Sequence, residues 1–126
     1  MPVERRPGEH PELSVFVVRG QVSRRELEEA IADSYRRSTP QGLWDLRGAS
    51  LEKLTRADLR SLMTLVATQA AGHIPTCSAV VADDDATFGL ARMLESYVQG
   101  LPLELRTFRR LEDAQAWLAE KRKPKD

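Results

Sequence analysis

Few side chains in this sequence could carry out covalent chemistry. Cys77 is the single cysteine, which excludes a disulfide within the chain and a metal site built from several cysteines. A nucleophilic cysteine needs a base close by, and the two histidines, His10 and His73, fall in a polar leader and in a loop. Because Cys77 opens an apolar run, we expect it to pack as a small hydrophobic residue.

Three consecutive carboxylates, Asp83, Asp84 and Asp85, separate an apolar run from a helical pattern. Such a cluster could bind a hard cation, because carboxylate oxygens are its usual ligands. Aspartate is also favoured just before a helix, where it accepts backbone N–H bonds and faces the positive end of the helix dipole. We expect capping here and predict no metal. We predict no cofactor either, because the sequence has no glycine-rich phosphate-binding pattern.

Two hydroxyl residues, Ser50 and Thr55, lie between a predicted strand and the next predicted helix, which makes them candidate phosphorylation sites. Residues 55–58 also match a capping pattern in which the threonine accepts a hydrogen bond from a backbone N–H. We therefore expect Thr55 to cap a helix and keep it as a weak candidate phosphosite. Since no nucleophile–base pair can be assembled from the sequence, we predict that the protein is not an enzyme.

The elements that position these residues alternate along the chain. Four apolar runs alternate with four helical patterns, which predicts an α/β domain with about four core strands, mostly parallel, and about four helices. The run over residues 77–82 shows almost no polar alternation, which is typical of a strand inside the sheet. We divide the chain into residues 1–12, a polar leader or antiparallel edge hairpin; residues 13–120, the domain; and residues 121–126, a basic tail.

The helix predicted over residues 86–99 has more apolar positions than one buried face needs. Monomers seldom leave a broad apolar patch in water, so we predict a homodimer or an apolar ligand pocket at this helix. A glycine early in the helix also allows another backbone or a ligand to approach closely. The candidate ligand or partner surface consists of Phe88, Gly89, Leu90, Met93, Leu94 and Tyr97.

The composition narrows the class of protein. The chain has 126 residues, of which 41% are hydrophobic and 30% charged, enough for one packed domain. Lys plus Arg and Asp plus Glu both number 19, so the basic excess that is typical of nucleic-acid binders is missing and we expect no nucleic-acid partner. No run resembles a signal peptide or a membrane span, which predicts a cytoplasmic protein without integral membrane association.

Three stretches resemble the SpoIIAA-like proteins, small bacterial α/β domains of the STAS type: residues 43–47, residues 79–84 with 88–93, and residues 105–118. This family is related in fold to anti-sigma-factor antagonists and to SEC14-type lipid-binding domains. The resemblance implies a STAS-type fold over roughly residues 13–118, and it implies that such domains can form dimers or carry apolar ligands.

In the anti-sigma-factor antagonists, a strand ending in Asp leads to an Asp-Ser-Ser-Gly element whose second serine is phosphorylated by a partner kinase. If Asp45 matches that first Asp, residues 53–56 stand in place of the element, and Thr55 alone among them keeps a hydroxyl. Lys53 replaces the acidic residue and Arg56 replaces the glycine. In a regulator of this kind Thr55 would be the modified residue, and the departures at Lys53 and Arg56 count against that alternative.

We therefore predict a non-catalytic, regulatory or ligand-binding STAS-type domain that acts through protein–protein association. Two alternatives stay open. The first is a carrier of a small apolar or lipid-like ligand, which requires an apolar cavity beside the helix of residues 86–99. The second is a phosphorylatable regulator similar to an anti-sigma-factor antagonist.

Overall fold

The structure is a computed structural model that describes residues 3–36 and 39–123. Within these residues the chain alternates between strands and helices, as the apolar runs predict. The elements, in chain order, are β1 (Val3–Pro7), β2 (Leu13–Gln21), α1 (Arg24–Arg36), β3 (Gln41–Ser50), α2 (Arg56–Ala71), β4 (Thr76–Val81), α3 (Asp85–Tyr97), β5 (Leu103–Phe108) and α4 (Leu111–Arg122).

The strands form a single sheet in the order β1-β2-β3-β4-β5. The first strand pairs antiparallel with β2, with Val3 opposite Val18 and Pro7 opposite Ser14, whereas the three other pairs are parallel. A helix connects each parallel pair because parallel neighbours need a long crossover. The α/β prediction is confirmed, including the parallel core and the antiparallel edge strand.

β4 lies inside the sheet, as its unbroken apolar run predicts. Ala79 and Val81 are fully buried on one face, and Val80 is buried on the other. Helices cover both faces at this point, so neither face of the strand needs polar residues. By contrast, β5 forms the sheet edge and alternates between buried and exposed residues.

The two faces of the sheet are covered unequally. α4 alone packs against one face, where Ala114 and Leu118 are buried among Leu13, Leu43 and the β4 residues. The other face is covered by α1, α2 and α3. Two clusters form there, one around Leu62 and one around Val66, so α2 turns its apolar stripe toward the sheet.

The first two residues of the predicted basic tail are helical. Lys121 and Arg122 belong to the last turn of α4, and Lys121 pairs with Glu104 on β5. Arg122 Nη1 donates to Gln41 Oε1 at 2.6 Å, and the buried Gln41 Nε2 donates to the Leu118 carbonyl at 2.8 Å. These two hydrogen bonds hold the end of α4 against the start of β3. Residues 124–126 of the predicted tail lie outside the described residues.

Candidate functional site

Cys77 lies half-buried near the start of β4, on the face that α4 covers. Burial raises the pKa of its thiol to about 11, and the nearby Glu104 carboxylate acts in the same direction. Neither histidine contributes to this shift: His10 accepts a bond from the Glu12 backbone N–H, and His73 packs edge-on against an α1 tyrosine. The thiol is therefore protonated at neutral pH, and within the described residues neither histidine acts on it.

The acidic cluster is used within the fold. Asp84 is the N-cap of α3 and accepts hydrogen bonds from Thr87 N at 3.0 Å and Thr87 Oγ1 at 2.8 Å. These bonds hold the pKa of the Asp84 carboxyl below its usual range. Asp85 pairs with Arg109 at 2.8 Å. Among the described residues, no group of three or more His, Cys, Asp or Glu side chains could hold a metal ion.

Thr55 caps α2 in a complete capping box. Its Oγ1 accepts from Asp58 N at 3.1 Å, and Asp58 Oδ2 accepts from Thr55 N at 3.0 Å. The other hydroxyl candidate, Ser50, ends β3, and its carbonyl accepts from Val22 N at 3.2 Å. The capping prediction for Thr55 is confirmed, while phosphorylation of either hydroxyl stays a prediction.

A polar cleft lies at the carboxyl ends of β2, β3 and β4, lined by Arg19, Asp45, Arg47 and Asp83. A bulge in β3 places two residues opposite Val18, so that Arg47 turns back onto Asp45. Arg47 Nε and Nη2 donate to the two Asp45 oxygens at 2.8 Å each, which holds the pKa of the Asp45 carboxyl below its usual range. These two opposite charges therefore satisfy each other.

A second, largely apolar concavity lies on the side of the sheet opposite α4. A cavity of about 200 Å³, which we call the sheet–helix cavity, separates the sheet from α1, α2 and α3. Phe16, Trp44 and Val80 form its floor on three adjacent strands, with the Phe16 and Trp44 rings stacked at 4.2 Å. The helices contribute further apolar walls, among them Ile31, Leu62, Val66, Leu90 and Leu94.

The six α3 candidates do not share one environment. Leu90, Met93 and Leu94 line the sheet–helix cavity, and Met93, which is 57% exposed, lies at its edge. The remaining three do not line it. Phe88 packs under the Arg109 guanidinium, whose Cζ is 4.0 Å from the ring centroid; Tyr97 is 51% exposed; and Gly89 faces open space.

Sequence reasoning missed the strand residues at the amino-terminal side of the same cavity. Ser14, Gly42 and Ser78 occupy one row across β2, β3 and β4, and all three line the sheet–helix cavity. A signal was available, because Ser14 and Gly42 stand second in their strands, Ser78 stands third in its strand, and all three residues are small. Recognising the row requires the strand register, which the sequence pattern alone does not fix.

Among the described residues, no helix is both long enough and apolar enough to cross a membrane.

No protein-family model matches the sequence, and no curated protein sequence matches it significantly. Among solved structures, it is similar to an uncharacterized protein of the DUF3478 family with a SpoIIAA-like fold, from Shewanella loihica PV-4. The two chains are 17% identical; the alignment covers 92% of this chain and 91% of that chain, with a TM-score of 0.53. Together with the strand order and the helix arrangement, this likeness shows that the chain has a SpoIIAA-like α/β fold.

Proposed function

We propose that this domain is a non-catalytic binding protein that holds a small apolar ligand in the sheet–helix cavity. The observation that carries the proposal is the cavity itself, with its apolar floor and walls from all three covering helices. An engineered cavity of about 150 Å³ with apolar walls takes up benzene, so a cavity of about 200 Å³ has room for a somewhat larger molecule.

The state of the reactive groups also supports a role in binding. The Cys77 thiol is protonated, and the Thr55 and Asp84 side chains serve as helix caps. Ligand pockets are typically apolar concavities with a few polar groups, and the sheet–helix cavity has that composition. The proposal therefore favours the carrier hypothesis over the phosphorylatable regulator.

Propylbenzene is a suitable first probe, because it is apolar and fills more space than benzene. We expect it to bind and to raise the midpoint of thermal unfolding, since a ligand at about one hundred times its Kd stabilises the native state by roughly 2.7 kcal/mol. Isothermal titration calorimetry gives the Kd, and thermal unfolding gives the stabilisation.

A space-filling variant tests the location. Ala91 is buried in α3 and lines the cavity, so Ala91→Leu adds three carbons there and should weaken binding at least tenfold. Ala116→Leu makes the same change at an exposed α4 position on the opposite face and should bind like the parent. Absence of propylbenzene binding by the parent protein, or equal binding by both variants, would overturn the proposal.

A homodimer formed through α3 is the second candidate, and it rests on a separate observation. Met93 and Tyr97 stand one helical turn apart, and both are more than half exposed. Zero formal net charge removes the self-repulsion that would oppose pairing. Two-fold symmetry is the simplest closed arrangement for such a pair.

Sedimentation velocity at high micromolar concentration tests the dimer. The parent protein should sediment as a dimer, and Met93→Glu should convert it to a monomer, because the new carboxylate would be buried without a partner. Ser61→Glu, at an exposed position of α2, should leave the dimer intact. A parent protein that sediments as a monomer contradicts this second candidate.

A further inference from the structure

The row formed by Ser14, Gly42 and Ser78 makes one part of the cavity floor polar. The next row toward the carboxyl ends of the strands is Phe16, Trp44 and Val80, which is apolar. The floor therefore changes from polar to apolar over two residues, and a bound molecule would meet both kinds of surface.

Gly42 leaves a space in the middle of the polar row. A Cβ built on Gly42 would stand 3.2 Å from Ser78 Oγ and 3.6 Å from Trp44 Nε1. The hydroxyl and the indole N–H thus flank the same point, and both residues line the sheet–helix cavity. Any side chain at position 42 would fill this space, whereas glycine leaves it open to a ligand atom.

The two donors differ from the neighbouring serine in their bonding. Ser14 Oγ accepts from Arg5 Nη2 at 3.0 Å and lies 3.0 Å from Thr39 Oγ1, so its hydroxyl is held within the protein. Within the described part of the chain, no hydrogen bond occupies Ser78 Oγ or Trp44 Nε1. Neither atom is among the fully buried side-chain atoms that lack a partner, and both residues line the cavity, so a ligand there can reach both groups.

We infer that the ligand is amphipathic, with an apolar body and one terminal oxygen head group, and that Ser78 Oγ–H and Trp44 Nε1–H donate to this oxygen above Gly42. The inference rests on the proposed function, because it concerns the polar end of the same cavity. A hydroxyl and a carboxylate share the acceptor chemistry that these donors recognise.

Three probes with one body separate the head group from the apolar contacts: propylbenzene, 3-phenylpropan-1-ol and 3-phenylpropanoate. Calorimetric Kd values for the parent protein and for Ser78→Ala and Trp44→Phe test the donors. Each variant should raise the Kd of the alcohol and of the acid about tenfold, while the Kd of propylbenzene should change by less than about twofold. Comparison of the alcohol with the acid shows which head group is preferred.

Matched controls remove the same groups elsewhere. Ser61 is exposed on α2, and Trp117 lies on the side of the sheet that α4 covers. The Ser61→Ala and Trp117→Phe variants should therefore bind all three probes with the Kd of the parent protein. Circular dichroism confirms folding, and if Ser78→Ala does not fold, Trp44→Phe carries the test.

The outcomes separate this inference from the proposed function. If propylbenzene binds but neither donor variant changes the binding of the alcohol or the acid, the head-group inference is wrong and the proposed function stands. If none of the three probes binds the parent protein, both are wrong. Selective loss of the oxygen-bearing probes in the donor variants supports the inference.

Discussion

At the scale of single residues, burial decides which chemical groups can act. Cys77 has the one side chain in the sequence with strong intrinsic nucleophilicity, yet its thiol lies against α4 in an apolar cluster. Desolvation disfavours the thiolate and raises the thiol pKa to about 11. The prediction that Cys77 packs as a small hydrophobic residue follows from the same burial, because an apolar run inside a sheet leaves little water near its side chains.

Alkylation by iodoacetamide tests the state of this thiol. At pH 7 the folded protein should react about three hundredfold more slowly than the chain in denaturant, where the thiol pKa returns to ~8.5. Because the folded pKa is raised, the thiol's contribution to stability is complete below pH ~8.5 and is lost as the pH rises toward about 11. Equal rates for the folded and unfolded chains at pH 7 would show that burial does not raise the thiol pKa, and a faster rate for the folded chain would show an activated cysteine.

At the scale of elements, local sequence specifies where the helices begin. Two capping boxes form, Ser23 with Glu26 and Thr55 with Asp58, and the sequence pattern over residues 55–58 predicts the second. Each uses side chains three residues apart to satisfy backbone N–H groups that a helix start leaves without partners. Interactions of such short range can be predicted because no tertiary contact is needed to form them.

The contribution of the Thr55 cap to the free energy of unfolding can be measured by substitution. Thr55→Ala should lower the free energy of unfolding by about 0.5–2 kcal/mol, whereas Thr55→Asp should preserve the cap. Thr64→Ala, at an exposed position within the same helix, is the control and should cost less. Chemical denaturation provides the measurement.

The opposite result would favour the regulator hypothesis. If Thr55→Ala has no effect on stability and protein purified from its own host carries stoichiometric phosphate on Thr55, the residue acts as a phosphosite.

The cavity was harder to predict than the elements. The apolar breadth of α3 indicates that something packs there, but the structure divides those residues among the cavity, a contact with Arg109 and solvent. That division depends on how α3 is oriented against the sheet, which periodicity does not encode. Likewise, Gly42 and Ser78 meet through strand register, a long-range property that no local window contains.

At the scale of the whole molecule, the two faces of the sheet differ in packing. On one face, which we call the filled face, α4 packs closely against the strands, whereas the sheet–helix cavity separates the other face from its helices. On the filled face, Ala114 and Leu118 of α4 are completely buried against the strands. On the other face, three helices span the sheet without filling the space above Trp44. Protein interiors are normally close-packed, so an apolar concavity of about 200 Å³ between the sheet and its helices is the feature of this molecule that most needs a functional explanation.

The most direct test of that explanation is to locate a bound apolar molecule by intermolecular NOEs. With propylbenzene present at saturation, we expect NOEs from its ring and chain to methyl groups of Leu62, Val66 and Leu94, which line the cavity. Leu118, on the filled face, is the internal control and should show none. NOEs confined to Leu118 or to exposed side chains, or no NOEs at saturation, would contradict the claim that the sheet–helix cavity is a ligand site.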